Sequence, residues 1–171
     1  MDSRFGVSLA RRCTAALAAL ALAVPAVASA QDGGGARWEL SAGPSMTLNS
    51  EWTGAAFAER IGEERTFGRF TWAPDLAFGW IAARSTHRAN LDHDVGVAAL
   101  GVRVYLWRRL FLSEQGAIIA GRTDALSSAG EFVSSLGWQG ERWVAMVRHI
   151  SNADLHKPNH GETMLLVGFA F

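Results

Sequence analysis

Two residues with the means for covalent chemistry lie close together near the end of this 171-residue chain. They are His149 and Ser151, in the run Val147-Arg148-His149-Ile150-Ser151-Asn152-Ala153, which is followed by Lys157-Pro158-Asn159-His160-Gly161. On a β-strand, side chains two apart project from one face with Cβ atoms about 7 Å apart. An imidazole and a hydroxyl so placed can meet through suitable rotamers. A serine beside a histidine base is the core of an activated nucleophile for acyl transfer. His-x-Ser also occurs by chance in many chains, and its bland reading is a polar pair at a strand end. Which reading holds depends on the surface from which the pair projects.

Composition narrows the choice. Sixteen Lys and Arg balance sixteen Asp and Glu, for a formal net charge of zero. That lacks the basic excess of a nucleic-acid binder. The single cysteine, Cys13, excludes an intramolecular disulfide framework and a Cys-rich zinc site. Eighteen glycines, seven tryptophans and only four prolines fit a β protein with tight turns.

The first thirty residues have the layout of a secretory signal peptide. Arg4, Arg11 and Arg12 form a positive start, residues 14–27 are almost unbroken Ala, Leu and Val, and Ala28-Ser29-Ala30 is a small-x-small cleavage site. The apolar run is too short to span a bilayer comfortably. Residues 1–30 are therefore expected to be removed after Ala30, which leaves residues 31–171 as one exported domain.

That domain alternates with period two. Trp38, Leu40, Ala42, Pro44, Met46 and Leu48 form one such series, and Phe70, Trp72, Pro74, Leu76, Phe78 and Trp80 another. Leu100 to Leu106 and Leu165 to Phe171 repeat the pattern. Strict alternation means strands with one apolar face. Strands are expected at about 38–48, 68–82, 93–107, 110–122, 129–139, 141–151 and 161–171, with a weaker one at 51–59. Eight antiparallel strands can close into a small barrel. Alternation does not say which face is inside. A soluble barrel puts its large apolar residues in the core, and a membrane barrel puts them outside. Tryptophans at strand ends, the opposite face with Asp75, Arg103, Glu131, Ser135 and Gln139, the signal peptide and the terminal Phe171 favour an eight-stranded transmembrane barrel. Short turns at Arg108-Arg109 and Gln139-Gly140, against longer connections at 84–92, 123–128 and 152–160, fit a barrel with both termini at its periplasmic end.

On such a barrel, Trp143, Ala145, Val147, His149 and Ser151 share the lipid-facing side. Polar groups there need a reason, and a lipid substrate supplies one. The segment resembles the PagL family of outer-membrane lipid A 3-O-deacylases. His149-Ile150-Ser151-Asn152-Ala153 and Pro158-Asn159-His160-Gly161 match the family's His-x-Ser-Asn-Ala and Pro-Asn-x-Gly motifs. Phe70-Thr71-Trp72-Ala73-Pro74-Asp75 is similar to an early family strand, and 110–121 to the segment before the last hairpins. The resemblance implies an eight-stranded barrel in the bacterial outer membrane with a Ser-His-Glu site on its outer wall. Its substrate would be lipid A or lipopolysaccharide and its surroundings outer-membrane lipids. Ser151 would be the nucleophile and His149 the base, with Asn152, Ala153 and Asp154 around the oxyanion and bound substrate. No cofactor and no metal ion are implied.

Two positions depart from the family. Its glutamate falls where this chain has Thr163, and the acid here is Glu162. Parity sends Thr163 outward and Glu162 inward unless a bulge near Gly161 intervenes. Three arrangements are open: a bulge that swings Glu162 outward, which is the favoured one; Asp154 folded back onto His149; or no carboxylate partner. Asp154 itself stands where the family often has glycine. Elsewhere, His87, Asp92, His93 and Asp94 read as a solvated loop in preference to a metal site. His156 and His160 read as solvated neighbours of the site. The competing functions are a non-catalytic structural or adhesive outer-membrane barrel and a soluble periplasmic barrel for an apolar ligand.

Overall fold

A computed structural model describes residues 35–86, 90–107 and 109–171. The expected signal peptide, His87 and Arg108 lie outside these residues. Nine strands follow one another: β1 (Arg37–Thr47), β2 (Trp52–Ile61), β3 (Arg65–Phe67), β4 (Phe70–Ile81), β5 (Val95–Trp107), β6 (Leu110–Ala120), β7 (Gly130–Gln139), β8 (Trp143–Ser151) and β9 (Glu162–Ala170). Every pairing is antiparallel. β1 pairs with β9 through Leu40↔Phe169 and β2 pairs with β4 through Phe57↔Gly79, which closes eight strands into a barrel. Closure leaves none of the eight with an unpaired edge. β3 is a short rib paired only with β4. All eight expected strands are present within two residues of their expected bounds, and the weak one is a full strand, β2.

The orientation of the faces is now decided. Leu165, Val167 and Phe169 are 55, 58 and 74% exposed, while Met164 and Leu166 between and before them are buried. Phe78, Leu100, Ile118, Leu136 and Val147 also point outward. A soluble barrel would reverse this arrangement. Trp38, Trp107, Trp138 and Trp143 are exposed at the end of the barrel where the chain termini lie, and Trp52 and Trp80 at the opposite, loop end. An apolar wall between two aromatic girdles fits an outer-membrane β-barrel.

The interior is filled and charged. The Arg103 guanidinium donates to Glu39 at 3.0 Å, Glu59 at 2.9 Å, Asp75 at 3.3 Å and Gln139 at 2.9 Å, and stacks 3.9 Å over the Phe111 ring. Arg148 pairs with Glu59, donates to Ser135 at 2.9 Å and lies over Phe57. Arg37 closes the network from the terminal end by pairing with Glu39. Three carboxylates thus face three guanidiniums, which is what allows them to be buried. Phe57 fits because residue 79 is glycine: a Cβ there would sit 2.0 Å from the Phe57 ring. Side chains can fill the lumen of a barrel this small.

The connections also follow the expected asymmetry. The turns after β5 and β7 are short and lie at the terminal end, while 82–94, 121–129 and 152–161 are longer and lie at the loop end. Two links depart from it: the one carrying β3 lengthens the terminal end between β2 and β4, and the β1–β2 link at the loop end is short, residues 48–51.

Candidate functional site

β8 brings the proposed pair to the loop end of the outer wall. Its buried positions are Val144, Met146, Arg148 and Ile150, so parity sends Trp143, Val147, His149 and Ser151 outward. β7 and β9 flank it, with Ser134 and Thr163 directly opposite His149. His149 Nδ1 and Thr163 Oγ1 are 3.0 Å apart. The other side of the ring lies over Gly161, where a Cβ would come within 2.8 Å of Cε1 and 3.2 Å of Nε2. Gly161 has φ of 61°, a backbone conformation that costs glycine little. It serves here twice, by ending the loop and by leaving room for the imidazole. Continuing the register one step beyond Ile150↔Glu162 sets Gly161 beside Ser151. Nδ1 is therefore held by Thr163, and Nε2 lies on the Gly161 side of the ring.

Glu162 does not join them. β9 begins at Glu162 with regular pairing, and no bulge turns its side chain outward. Its carboxylate is buried, accepting from Arg84 Nη2 at 2.7 Å and Ser45 Oγ at 2.6 Å. The favoured arrangement, with Glu162 beside His149, is thus corrected. The physical reason is twofold. The positive φ falls at Gly161, before the strand, and does not offset the register within it. Arg84 then offers the carboxylate a buried cation on the inner side, which an outward rotation would abandon. Asp154 is exposed in the following loop, and His149 Nδ1 pairs with Thr163 Oγ1, not with the Asp154 carboxylate.

Asn152 also takes another part than the oxyanion. Its side chain is buried, and Nδ2 donates to Ser128 Oγ at 2.8 Å and to the His156 carbonyl at 2.8 Å. It ties the 152–161 loop to the 121–129 loop. Its own carbonyl accepts from the Leu155 amide at 3.1 Å across Ala153 and Asp154, whose φ values are 53° and 63°. Two successive positive φ values are those of a type I′ turn. Asp tolerates this conformation, whereas Ala pays a Cβ clash of about 1 kcal/mol. A sharp, strained turn thus follows Ser151 directly, and the Ala153 and Asp154 amides sit at its bend.

His93, His156 and His160 link loop segments. His156 Nδ1 contacts Ser127 Oγ at 3.1 Å, and His160 Nδ1 contacts Asn49 at 3.3 Å. His93 bridges Asp92 at 3.2 Å and the Arg122 carbonyl at 3.1 Å, while Asp94 accepts from the Ala83 amide. Among the described residues no group of three His, Cys, Asp or Glu converges as metal ligands would.

Two features escaped the sequence. Thr163 was placed on the outer face by parity, but its contact with Nδ1 needed the register of β8 against β9. Glu114 and Ser134 also project outward, joined by a 2.7 Å hydrogen bond. No family model, curated protein or solved structure matches this chain.

Proposed function

We propose that this barrel is an outer-membrane esterase that removes the 3-O-linked acyl chain from lipid A. One observation carries the reading. On a largely apolar wall, His149 and Ser151 project outward two residues apart on β8, and Thr163 Oγ1 engages His149 Nδ1. Polar groups on the lipid side are costly without a role.

In this mechanism the Nδ1 proton is donated to Thr163 Oγ1, which leaves Nε2 as the base. Nε2 takes the proton from Ser151 Oγ as the oxygen attacks the ester carbonyl. The Ala153 and Asp154 amides supply the donors for the tetrahedral oxyanion. Collapse releases the sugar hydroxyl, which receives its proton from Nε2, and leaves an acyl-serine. Water, activated by the same imidazole, then frees the fatty acid.

A threonine in the orienting position stabilises the imidazolium less than a carboxylate does, and the loss of such an acid lowers kcat by about 10⁴ in serine hydrolases. The inward Glu162 therefore also favours a second reading, a structural barrel without turnover. The mass of lipid A from cells with and without the protein separates the two. Loss of one hydroxyacyl chain, abolished by Ser151→Ala, supports the esterase. Unchanged lipid A from cells with verified surface levels of the barrel leaves the structural reading.

A further inference from the structure

The outer wall holds polar side chains that the serine mechanism does not use. Glu114 on β6 and Ser134 on β7 both face outward, and Ser134 Oγ donates to Glu114 Oε2 at 2.7 Å. Register aligns Glu114 with Ser134, Ser134 with His149, and His149 with Thr163. Four outward polar residues therefore stand side by side on four successive strands. Their outward neighbours Leu112, Leu136, Val147 and Leu165 are exposed hydrophobics. A carboxylate on the lipid side of a barrel is costly, so its presence asks for a function.

The position of the pair indicates what it meets. His149 lies two residues from the loop end of β8, whereas Glu114 lies near the middle of β6. The path from His149 through Ser134 to Glu114 thus runs down the wall, away from the loops. An acyl chain whose headgroup sits at the loop end lies along that path. Directly opposed residues have Cβ atoms about 4.5–5.5 Å apart, so Ser134 is within reach of atoms a few bonds from a carbonyl held between His149 and Ser151. The single hydroxyl proton of Ser134 is committed to Glu114, which leaves its oxygen free only to accept. The matching ligand group is a donor.

We propose that Ser134, fixed by Glu114, accepts a hydrogen bond from a hydroxyl on carbon 3 of the scissile acyl chain and so selects 3-hydroxyacyl esters over plain acyl esters. The proposal rests on the esterase reading for its catalytic consequence and stands on the wall geometry for binding.

The test compares 4-nitrophenyl 3-hydroxytetradecanoate with 4-nitrophenyl tetradecanoate in mixed micelles. The expected result is a kcat/KM ratio that favours the hydroxylated ester and falls about tenfold in Ser134→Ala, the scale of one lost hydrogen bond. Ser134→Thr, which keeps the hydroxyl on a strand-compatible side chain, should hold the ratio. Glu114→Leu places an apolar residue on the lipid side and folds readily, yet frees Ser134, so the ratio should fall there too. A ratio unchanged by Ser134→Ala and Glu114→Leu overturns the proposal. Binding is measured separately on the Ser151→Ala protein with 3-hydroxytetradecanamide and tetradecanamide, followed by the Ser134 amide resonance. Tighter binding of the hydroxylated amide supports the subsite even if neither ester is cleaved, in which case the esterase reading alone fails. Equal binding of the two amides overturns the subsite whether or not the esters are cleaved.

Discussion

At the scale of single residues, the proposed chemistry turns on whether an imidazole can be held without a carboxylate. The 3.0 Å contact to Thr163 supplies direction but no charge. Ser151→Ala and His149→Ala should each lower deacylation by at least about 10³-fold, because nucleophile and base act as a unit. The barrel should remain folded in both, as heat-dependent migration on a gel would show; activity retained in Ser151→Ala excludes the serine mechanism. Thr163→Val removes the partner of Nδ1 and should reduce kcat with little change in KM, while Thr163→Ser should restore it. Equal kcat in Thr163→Val and the native protein would mean that the contact orients nothing. Glu162→Gln gives the opposite expectation. It weakens the buried contact with Arg84, so its effect should appear in thermal stability and not in the dependence of rate on pH.

The legibility of this site was uneven for physical reasons. His149, Ser151 and Thr163 lie on one face because strand parity is fixed by sequence alone. The partner of Glu162 was not legible, because Arg84 is 78 residues away and meets it only once the barrel closes. Ser134 and Glu114 were hidden for the same reason: each is an ordinary polar residue on its own strand, and only the register of β6, β7 and β8 aligns them with His149.

At the scale of elements, alternation was the readable signal, since period two on ten-residue segments has few other structural meanings. It located all eight barrel strands. It missed β3, which is three residues long, exposed throughout and paired only with the start of β4. The 121–129 and 152–161 loops are joined by the His160 and Gly161 amides, which donate to the Asp124 and Ala125 carbonyls, and by side chains whose strength is open to measurement. Asn152→Ala removes donors to Ser128 and to the His156 carbonyl, and should cost about 1–3 kcal/mol of stability. Faster hydrogen exchange confined to the 121–129 and 152–161 loops would show the cause, and unchanged exchange there would contradict it. His93 gives a pH-dependent link. Its hydrogen bond with Asp92, assisted by the Arg122 carbonyl, raises its pKa above the ordinary histidine value, against a smaller opposing effect of burial. The protonated ring donates to both partners. The link is therefore fully present below the unfolded histidine pKa and lost as pH rises through the higher folded one. A titration of the His93 ring by NMR should show that raised midpoint, and Asp92→Asn should lower it.

At the scale of the whole molecule, the distribution of charge is inverted relative to a soluble protein. Arg103 and Arg148 are completely buried, while Leu165, Val167 and Phe169 of β9 face outward. Replacing Arg103 with methionine strands Glu39, Glu59 and Asp75 together, and should cost about 3–5 kcal/mol or prevent assembly. Near-native stability of Arg103→Met would show that the carboxylates are satisfied by other means. Because side chains occupy the lumen, the protein reconstituted in a planar bilayer should pass no steady ionic current, and a stable single-channel conductance would contradict the packed interior.

An outward-facing His149 and Ser151 also change what concentration means for this protein. A ligand of the wall arrives sideways, through the leaflet, and never through a mouth open to water. Its effective concentration is then a mole fraction in the membrane, not an amount per litre. Adding inert detergent at fixed protein and fixed substrate should slow the reaction, because it dilutes the surface without altering the bulk. Water-soluble inhibitors should act only in proportion to how well they partition, so potency across a series would track hydrophobicity before it tracked fit. On the proposed esterase reading, the same geometry sets an upper limit on turnover that no substitution in the site can raise: the rate at which lipids exchange places around a cylinder.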